Sequence, residues 1–240
     1  MLDPTLTRQI VAAMTRRVTR TEVSVKCRIG VTGRETFDQL VEFIDNLYLG
    51  GVRKVVVHAR KCILRGLSPA QNRVVPPLDY AVVRQLIPLF PEMRFVLNGG
   101  VETLGEAASA LEWTHGVMVG RAAYNLPMMF AAADSQIFSA PRHNASKSRI
   151  DVLEAYVDFA SAMHDQAAFG SGYPNLCKPM HNFFNDCPDR KAVKQYKQAL
   201  DATLKDETSK SLPFQDLIWD VVNLSFTKDF LEAPLLADVD

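Results

Sequence analysis

His58, Arg60 and Lys61 follow directly on the β-branched run Val55-Val56-Val57. A short, continuous apolar run of this kind predicts a strand buried on both faces, as in a parallel sheet. The imidazole and the two cations then stand at the carboxyl edge of that strand, where α/β proteins place ligands and chemistry. Upstream, Val23-Ser24-Val25-Lys26-Cys27-Arg28-Ile29-Gly30 alternates in the same sense, so that Lys26 and Arg28 share one side. A lysine aimed inward at a strand end is costly to desolvate unless it meets an anion. Lys26 is therefore a candidate ligand group, although a neighbouring carboxylate would satisfy it equally.

Two further strand ends carry glycine. Arg94-Phe95-Val96-Leu97 runs into Asn98-Gly99-Gly100, and Thr103 with Glu106 forms the T-x-x-E signature of a capped helix start. A strand–Gly-Gly–helix junction predicts backbone N–H groups open at a positive helix end, which seats a phosphate. One unit later, Gly116-Val117-Met118-Val119 ends in Gly120-Arg121. Adjacent glycine-bearing strand ends of this type build the phosphate site of (β/α)8 barrels.

The elements that must position these groups alternate. Helical spacing is read at Leu6, Ile10, Val11 and Met14 behind Asp3-Pro4, and again from Phe37 to Tyr48, where Gly50-Gly51 stops it. It recurs at Val82, Val83, Leu86 and Ile87 behind Asp79, and from Tyr124 to Phe138, an Ala- and Met-rich stretch read as core packing. Four strands, starting near residues 23, 53, 94 and 116, are interleaved with these helices. Four βα units make half of an eight-fold barrel, and an open sheet of buried strands leaves two edges unsatisfied. The expected architecture is α/β, the C-terminal half of a (β/α)8 barrel, over residues 1–140.

The polar stretch Pro141 to Ser148 predicts a boundary, with residues 141–240 forming a second, all-helical domain. Its apolar stripes run through Ile150, Leu153, Tyr156, Val157, Ala160 and Met163, and through Phe214, Leu217, Ile218, Val221 and Val222. Between them lie Lys178-Pro179-Met180-His181-Asn182-Phe183-Phe184 and a helix with Lys191, Lys194 and Lys197 on one face. The tail from Ala237 to Asp240 is expected to fray.

Lys+Arg and Asp+Glu number 27 each, which argues against a bulk polyanion binder. The charge is unevenly spread: 16 basic and 12 acidic residues up to Ala140, against 11 and 15 thereafter, a basic body with an acidic tail. Cys27, Cys62, Cys177 and Cys187 lack metal-knuckle spacing, so no metal site is assigned and free thiols are expected. No run approaches the ~20 apolar residues of a membrane span, and no secretory leader is read at Met1-Leu2-Asp3-Pro4. A cytoplasmic chain is the expectation; composition leaves the oligomeric state open.

Taken in order, Val25 to Gly30, His58-Ala59-Arg60-Lys61, Gly66-Leu67-Ser68-Pro69, Asn72-Arg73, Pro76-Pro77-Leu78, Asn98-Gly99-Gly100, Gly116 to Arg121 and Lys178 to Phe184 closely resemble the tRNA-dihydrouridine synthases, in particular the branch typified by the bacterial A-type enzymes. The resemblance spans most of residues 4–200. It implies an FMN-binding barrel followed by a helical tRNA-binding domain. It also implies reduction of a tRNA uridine to 5,6-dihydrouridine, with NADPH reducing the flavin, the flavin giving hydride to the uracil ring and a cysteine acid protonating it. Carried over by position, Lys26 and His58 would contact the flavin ring system. Asn98, Gly99, Gly100, Gly120 and Arg121 would hold the FMN phosphate. Arg28, Arg60, Lys61, Arg73, Lys178 and His181 would meet tRNA. The family's catalytic cysteine lies in a Gly-Cys-Pro stretch of an earlier strand that this sequence does not contain. No catalytic residue is therefore assigned, and Cys27 is not promoted to that role. The alternatives are a non-catalytic tRNA-binding remnant of such an enzyme, or a different FMN barrel of the dihydroorotate dehydrogenase kind. Asn72-Arg73 and the Lys178 to Phe184 segment argue against the latter.

Overall fold

The computed structural model describes residues 1–140, 147–166, 172–206, 208 and 212–236. The boundary stretch 141–146 and the tail 237–240 lie outside the described residues. The chain divides into two compact units, Met1–Gly120 and Arg121–Asp240. The division falls upstream of the polar stretch, because residues 121–140 pack with the helices that follow. Asn125 accepts a 2.7 Å hydrogen bond from Asn185 Nδ2, and Met128 lies against the helical core.

The first unit is α/β. Its elements are α1 (Pro4–Arg17), β1 (Ser24–Arg28), α2 (Phe37–Leu49), β2 (Lys54–His58), α3 (Tyr80–Leu86), β3 (Arg94–Asn98), α4 (Leu104–Leu111) and β4 (Gly116–Met118). The strands form one parallel sheet in the order β1-β2-β3-β4, each crossover being a helical unit. Local chemistry sets the helix ends. Asp3 caps α1 and Asp79 caps α3, while Thr36 with Gln39 and Thr103 with Glu106 form reciprocal capping boxes on α2 and α4.

The helices cover one face of the sheet. Cys27, Val55, Val57, Phe95 and Leu97 point into a core completed by Leu40, Ile44, Leu47, Val83 and Leu86. Fully burying each large side chain is worth roughly 1.5–3 kcal/mol. The opposite face is less covered. Val56 and Val96, aligned on neighbouring strands, are only half-buried. The two-sided burial expected of the Val55-Val56-Val57 run is thus complete on the helix side alone.

α1 also departs from expectation. It packs through Pro4 and Val11, with Gly50 and Gly51 letting the helix come close at Val11 and Thr15. The line one step round the helix, Leu2, Leu6, Ile10, Met14 and Val18, is exposed.

The second unit is helical: α5 (Arg121–Asn125), α6 (Ala133–Phe138), α7 (Arg149–Asp165), α8 (Tyr173–Leu176), α9 (Arg190–Lys205), α10 (Phe214–Ser225) and α11 (Lys228–Glu232). The single helix predicted from Tyr124 to Phe138 is broken, with a 3-10 segment at Pro127–Ala132, because Pro127 cannot continue the preceding hydrogen-bond ladder. Leu153, Val157, Tyr196, Leu200, Leu217, Val221 and Val222 join Phe184 and Phe226 in one core. Lys191 and Lys194 of α9 face outward, opposite Val193, Tyr196 and Leu200. No described helix is long and apolar enough to cross a membrane.

Candidate functional site

Strand register builds the site. Arg28 pairs with His58, His58 with Asn98 and Asn98 with Met118, so these four side chains form one row across the less covered face at the carboxyl ends of the strands. Lys26 lies one layer below, in line with Val56 and Val96. Lys26 and Arg28 do share a side, as the alternation predicts. His58 and Asn98 are buried. Partial desolvation of the Lys26 ammonium, and then the Arg28 charge, lowers its pKa from the ordinary lysine value.

The junction after β3 is shaped by glycine. Gly99 and Gly100 have φ of 104° and 76°, a left-handed region that side chains avoid. A Cβ at Gly99 would stand 2.5 Å from His58 Cδ2, and one at Gly100 would stand 2.9 Å from the Tyr80 hydroxyl oxygen. The Tyr80 hydroxyl donates to the Gly99 carbonyl at 2.6 Å. Asn98 Nδ2 donates to the Met118 carbonyl at 2.8 Å, which ties the end of β3 to β4. Gly120 is exposed with open space around its Cα, and Arg121, next in the chain, is exposed and opens α5.

The start of α4 carries a carboxylate of its own. The Glu106 carboxylate accepts from the Glu102 N–H at 2.8 Å and from the Thr103 N–H at 3.0 Å. Those bonds, led by the one from Glu102, hold its pKa below the usual carboxylate range. The carboxylate thus takes two N–H groups at the positive end of the helix, those of Glu102 and Thr103.

A cavity of about 500 Å³ lies beside the row, in the size range of cofactor and substrate pockets. Lys26, Arg28, His58, Asn72 and Arg73 line it. So does Cys62, whose place directly after Lys61 at a strand end is its only sequence signal. Cys27 points to the helix side, where burial pushes its thiol up to about 12. A thiol so placed is a poor nucleophile.

The cations expected to meet RNA divide into two groups. Arg28 Nη1 donates to the carbonyls of Lys61 (3.1 Å) and Asn72 (2.9 Å), and Arg60 Nη1 to those of Val74 (3.0 Å) and Pro76. Lys61 pairs with Glu35 at 3.4 Å on the surface. Arg73 is exposed. In the helical unit, Lys178 Nζ donates to Asn175 Oδ1 at 2.7 Å, and His181 Nε2 lies 2.8 Å from Asp201 Oδ1. These two stand in a group of their own with Asn182, whose Oδ1 accepts from Lys197 at 3.2 Å.

Comparison with known proteins gives the same direction. The dihydrouridine synthase (Dus) family model matches residues 1–218. A tRNA-dihydrouridine(20/20a) synthase of Pseudomonas syringae pv. tomato is 40% identical over 183 residues, covering 72% of this chain and 54% of the relative. One from Pseudomonas aeruginosa is 44% identical over 148 residues, 62% of this chain and 44% of the relative. One from Vibrio cholerae is 32% identical over 224 residues, 90% of this chain and 67% of the relative. The chain spans about half the length of the first two of these curated relatives. With the family pattern extending over both units, the chain belongs to the dihydrouridine synthase family.

Proposed function

We propose that this chain supplies part of the flavin and tRNA site of an enzyme that reduces a tRNA uridine to 5,6-dihydrouridine. The observation that carries the reading is the register row Arg28–His58–Asn98, with Lys26 beneath it and a cavity of about 500 Å³ at its side. The printed names of the relatives support the reaction and the RNA substrate.

The residues fit an anionic ring-bearing cofactor. A cation, a buried imidazole and a diglycine turn without Cβ atoms converge at the strand ends. FMN, reduced by NADPH, supplies the hydride when bound. Lys26 would hold positive charge against the electron-rich edge of the ring, and an anion there would raise its lowered pKa back. His58, wedged against Gly99, would meet the ring with a fixed edge. Asn98 would keep the ends of β3 and β4 at their spacing, so that Gly99, Gly100 and Gly120 could take the phosphate. The proton delivered to the uracil ring is assigned to no side chain of this chain. The target base would leave its stack to enter the cavity, while backbone contacts position the tRNA. Lys178 and His181 are proposed as RNA contacts of the helical unit.

The test is an absorption spectrum of the purified chain, together with binding of an unmodified tRNA transcript. A flavin spectrum that is lost in Lys26→Met supports the cofactor site. A colourless, folded chain that binds the transcript would favour an RNA-binding role without reduction. A colourless chain that binds no tRNA would overturn the reading.

A further inference from the structure

The parallel sheet of the first unit is open at both edges. No described strand pairs with the outer side of β1 or of β4. Burial falls away there in register. Val55 and Phe95 are fully buried, while Val25, aligned with them on β1, is half-buried. Leu97 is fully buried, while Val117, aligned with it on β4, is half-buried. A cavity of about 500 Å³ opens beside β1, lined by Met1, Thr7, Val25, Cys27, Val31 and Phe43. Purely parallel sheets bury their strands on both faces, and closure into a barrel removes the edges altogether.

Each edge has what the other lacks. α1 precedes β1, and a right-handed crossover lays such a helix over the junction between its own strand and the strand before it. The sheet has no strand at that position, and the line Leu2, Leu6, Ile10, Met14 and Val18 of α1 is exposed. β4 has the reverse need. The residues that follow it, from Arg121 on, belong to the helical unit, so no later helix of its own unit covers its outer side.

Charge follows the same division. Residues 4–21 hold Arg8, Arg16, Arg17 and Arg20 and no acid, whereas residues 99–120 hold Glu102, Glu106 and Glu112 and no lysine or arginine. Arg17, seven residues after Ile10, continues the exposed line of α1. No described ion pair engages Arg16, Arg17, Arg20, Glu102 or Glu112. Opposite signs on the two edges favour joining unlike edges and oppose joining like ones.

We propose that β1 with α1 is the docking surface for the β4 edge of a second copy of this chain, and that two copies close one eight-stranded barrel. A two-fold axis along the barrel keeps every strand parallel and pairs both edges at once. Four strands from each copy make the eight whose interior side chains can fill. α1 of one copy then lies over β4 and beside α4 of the other, which covers the line from Leu6 to Met14. The row from Arg28 to Met118 runs on into the same row of the second copy, and the cavities beside Lys26 gain the wall they lack. This pairing goes beyond the flavin and tRNA reading and stands if that reading fails.

Sedimentation velocity of the 240-residue chain is expected to show a concentration-dependent species of twice the 26.7 kDa of one copy. Ile10→Glu should abolish it, with helical circular dichroism retained. Arg17→Glu and Glu112→Arg should each weaken association about tenfold, and the two reversals combined should restore most of it. That pair serves if Ile10→Glu folds poorly. Hydrogen exchange on dilute and concentrated chain reads the geometry. Closure protects amides of both β1 and β4 as concentration rises, whereas stacking of one α1 on another protects α1 alone. Association indifferent to these variants, protection confined to α1, or open-ended larger species would overturn the proposal. So would a monomer at every concentration, which would point to a different chain as the occupant of both edges.

Discussion

The His58 imidazole occupies the space that a side chain at Gly99 would need: a Cβ there would lie 2.5 Å from His58 Cδ2 and 2.8 Å from Nε2. Gly99→Ala must therefore displace the imidazole and also hold alanine at a φ of 104°. A loss of about 1–3 kcal/mol is expected, read from urea unfolding, together with weaker flavin retention. Gly120→Ala is the control. A Cβ there meets nothing within 4 Å, so stability should be unchanged.

Lys26 makes a prediction with a sign. Its pKa is lowered by desolvation first and by Arg28 second. The unfolded chain then holds the proton more tightly than the folded one. The contribution of this position to stability is smallest below the lowered pKa and rises as pH climbs through it toward the ordinary lysine value. Unfolding midpoints between about pH 7 and pH 10 should rise less in Lys26→Met than in the parent. At neutral pH and without ligand, the variant should be at least as stable as the parent while retaining less flavin. A less stable Lys26→Met would show that the ammonium is satisfied within the free protein.

The four cysteines should react very differently. Cys27 and Cys177 are buried, and burial pushes both thiols up to about 12; Cys187 is buried and raised as well. Cys62 is half-buried at the cavity wall. Iodoacetamide on the native chain is expected to label Cys62 first, with the other three protected until unfolding, as read by peptide mass spectrometry. Added FMN should slow labelling of Cys62.

The helical unit rests on an aromatic cluster. Phe184 is 1% exposed and lies 4.3 Å from the Phe226 ring and 4.9 Å, edge-on, from Tyr196. Phe184→Ala should cost about 3–5 kcal/mol, seen as lost helical circular dichroism at lower urea. Tyr196→Phe keeps the ring but leaves the Met180 carbonyl without its 3.1 Å partner, and should cost only about 1 kcal/mol.

Local signals were legible where a single physical cause dominated. Val55-Val56-Val57 and Phe95-Val96-Leu97, bounded by charge and glycine, mark strands to within a residue, and the alternation around Lys26 puts it beside Arg28 on one face. Periodicity shows that α1 has apolar lines but not which line a neighbour covers; Val11 packs, while Ile10 beside it does not. The bonds of Arg28 and Arg60 were not legible, because main-chain carbonyls carry no sequence signature. The capping box of α4 was legible, since the T-x-x-E pattern at Thr103 and Glu106 names both partners.

The outward line of α1 decides how the protein behaves as a colloid. Leu2, Leu6, Ile10 and Met14 are each more than half exposed, close in sequence to β1, an edge strand of the sheet. With a formal net charge of zero at pH 7, molecules have little long-range repulsion to keep such flanks apart. Solubility should pass through a minimum near neutrality, fall with ammonium sulfate, and recover when Ile10 is replaced by glutamate. Storage buffers well away from neutral pH will keep this protein in solution longer than added salt will.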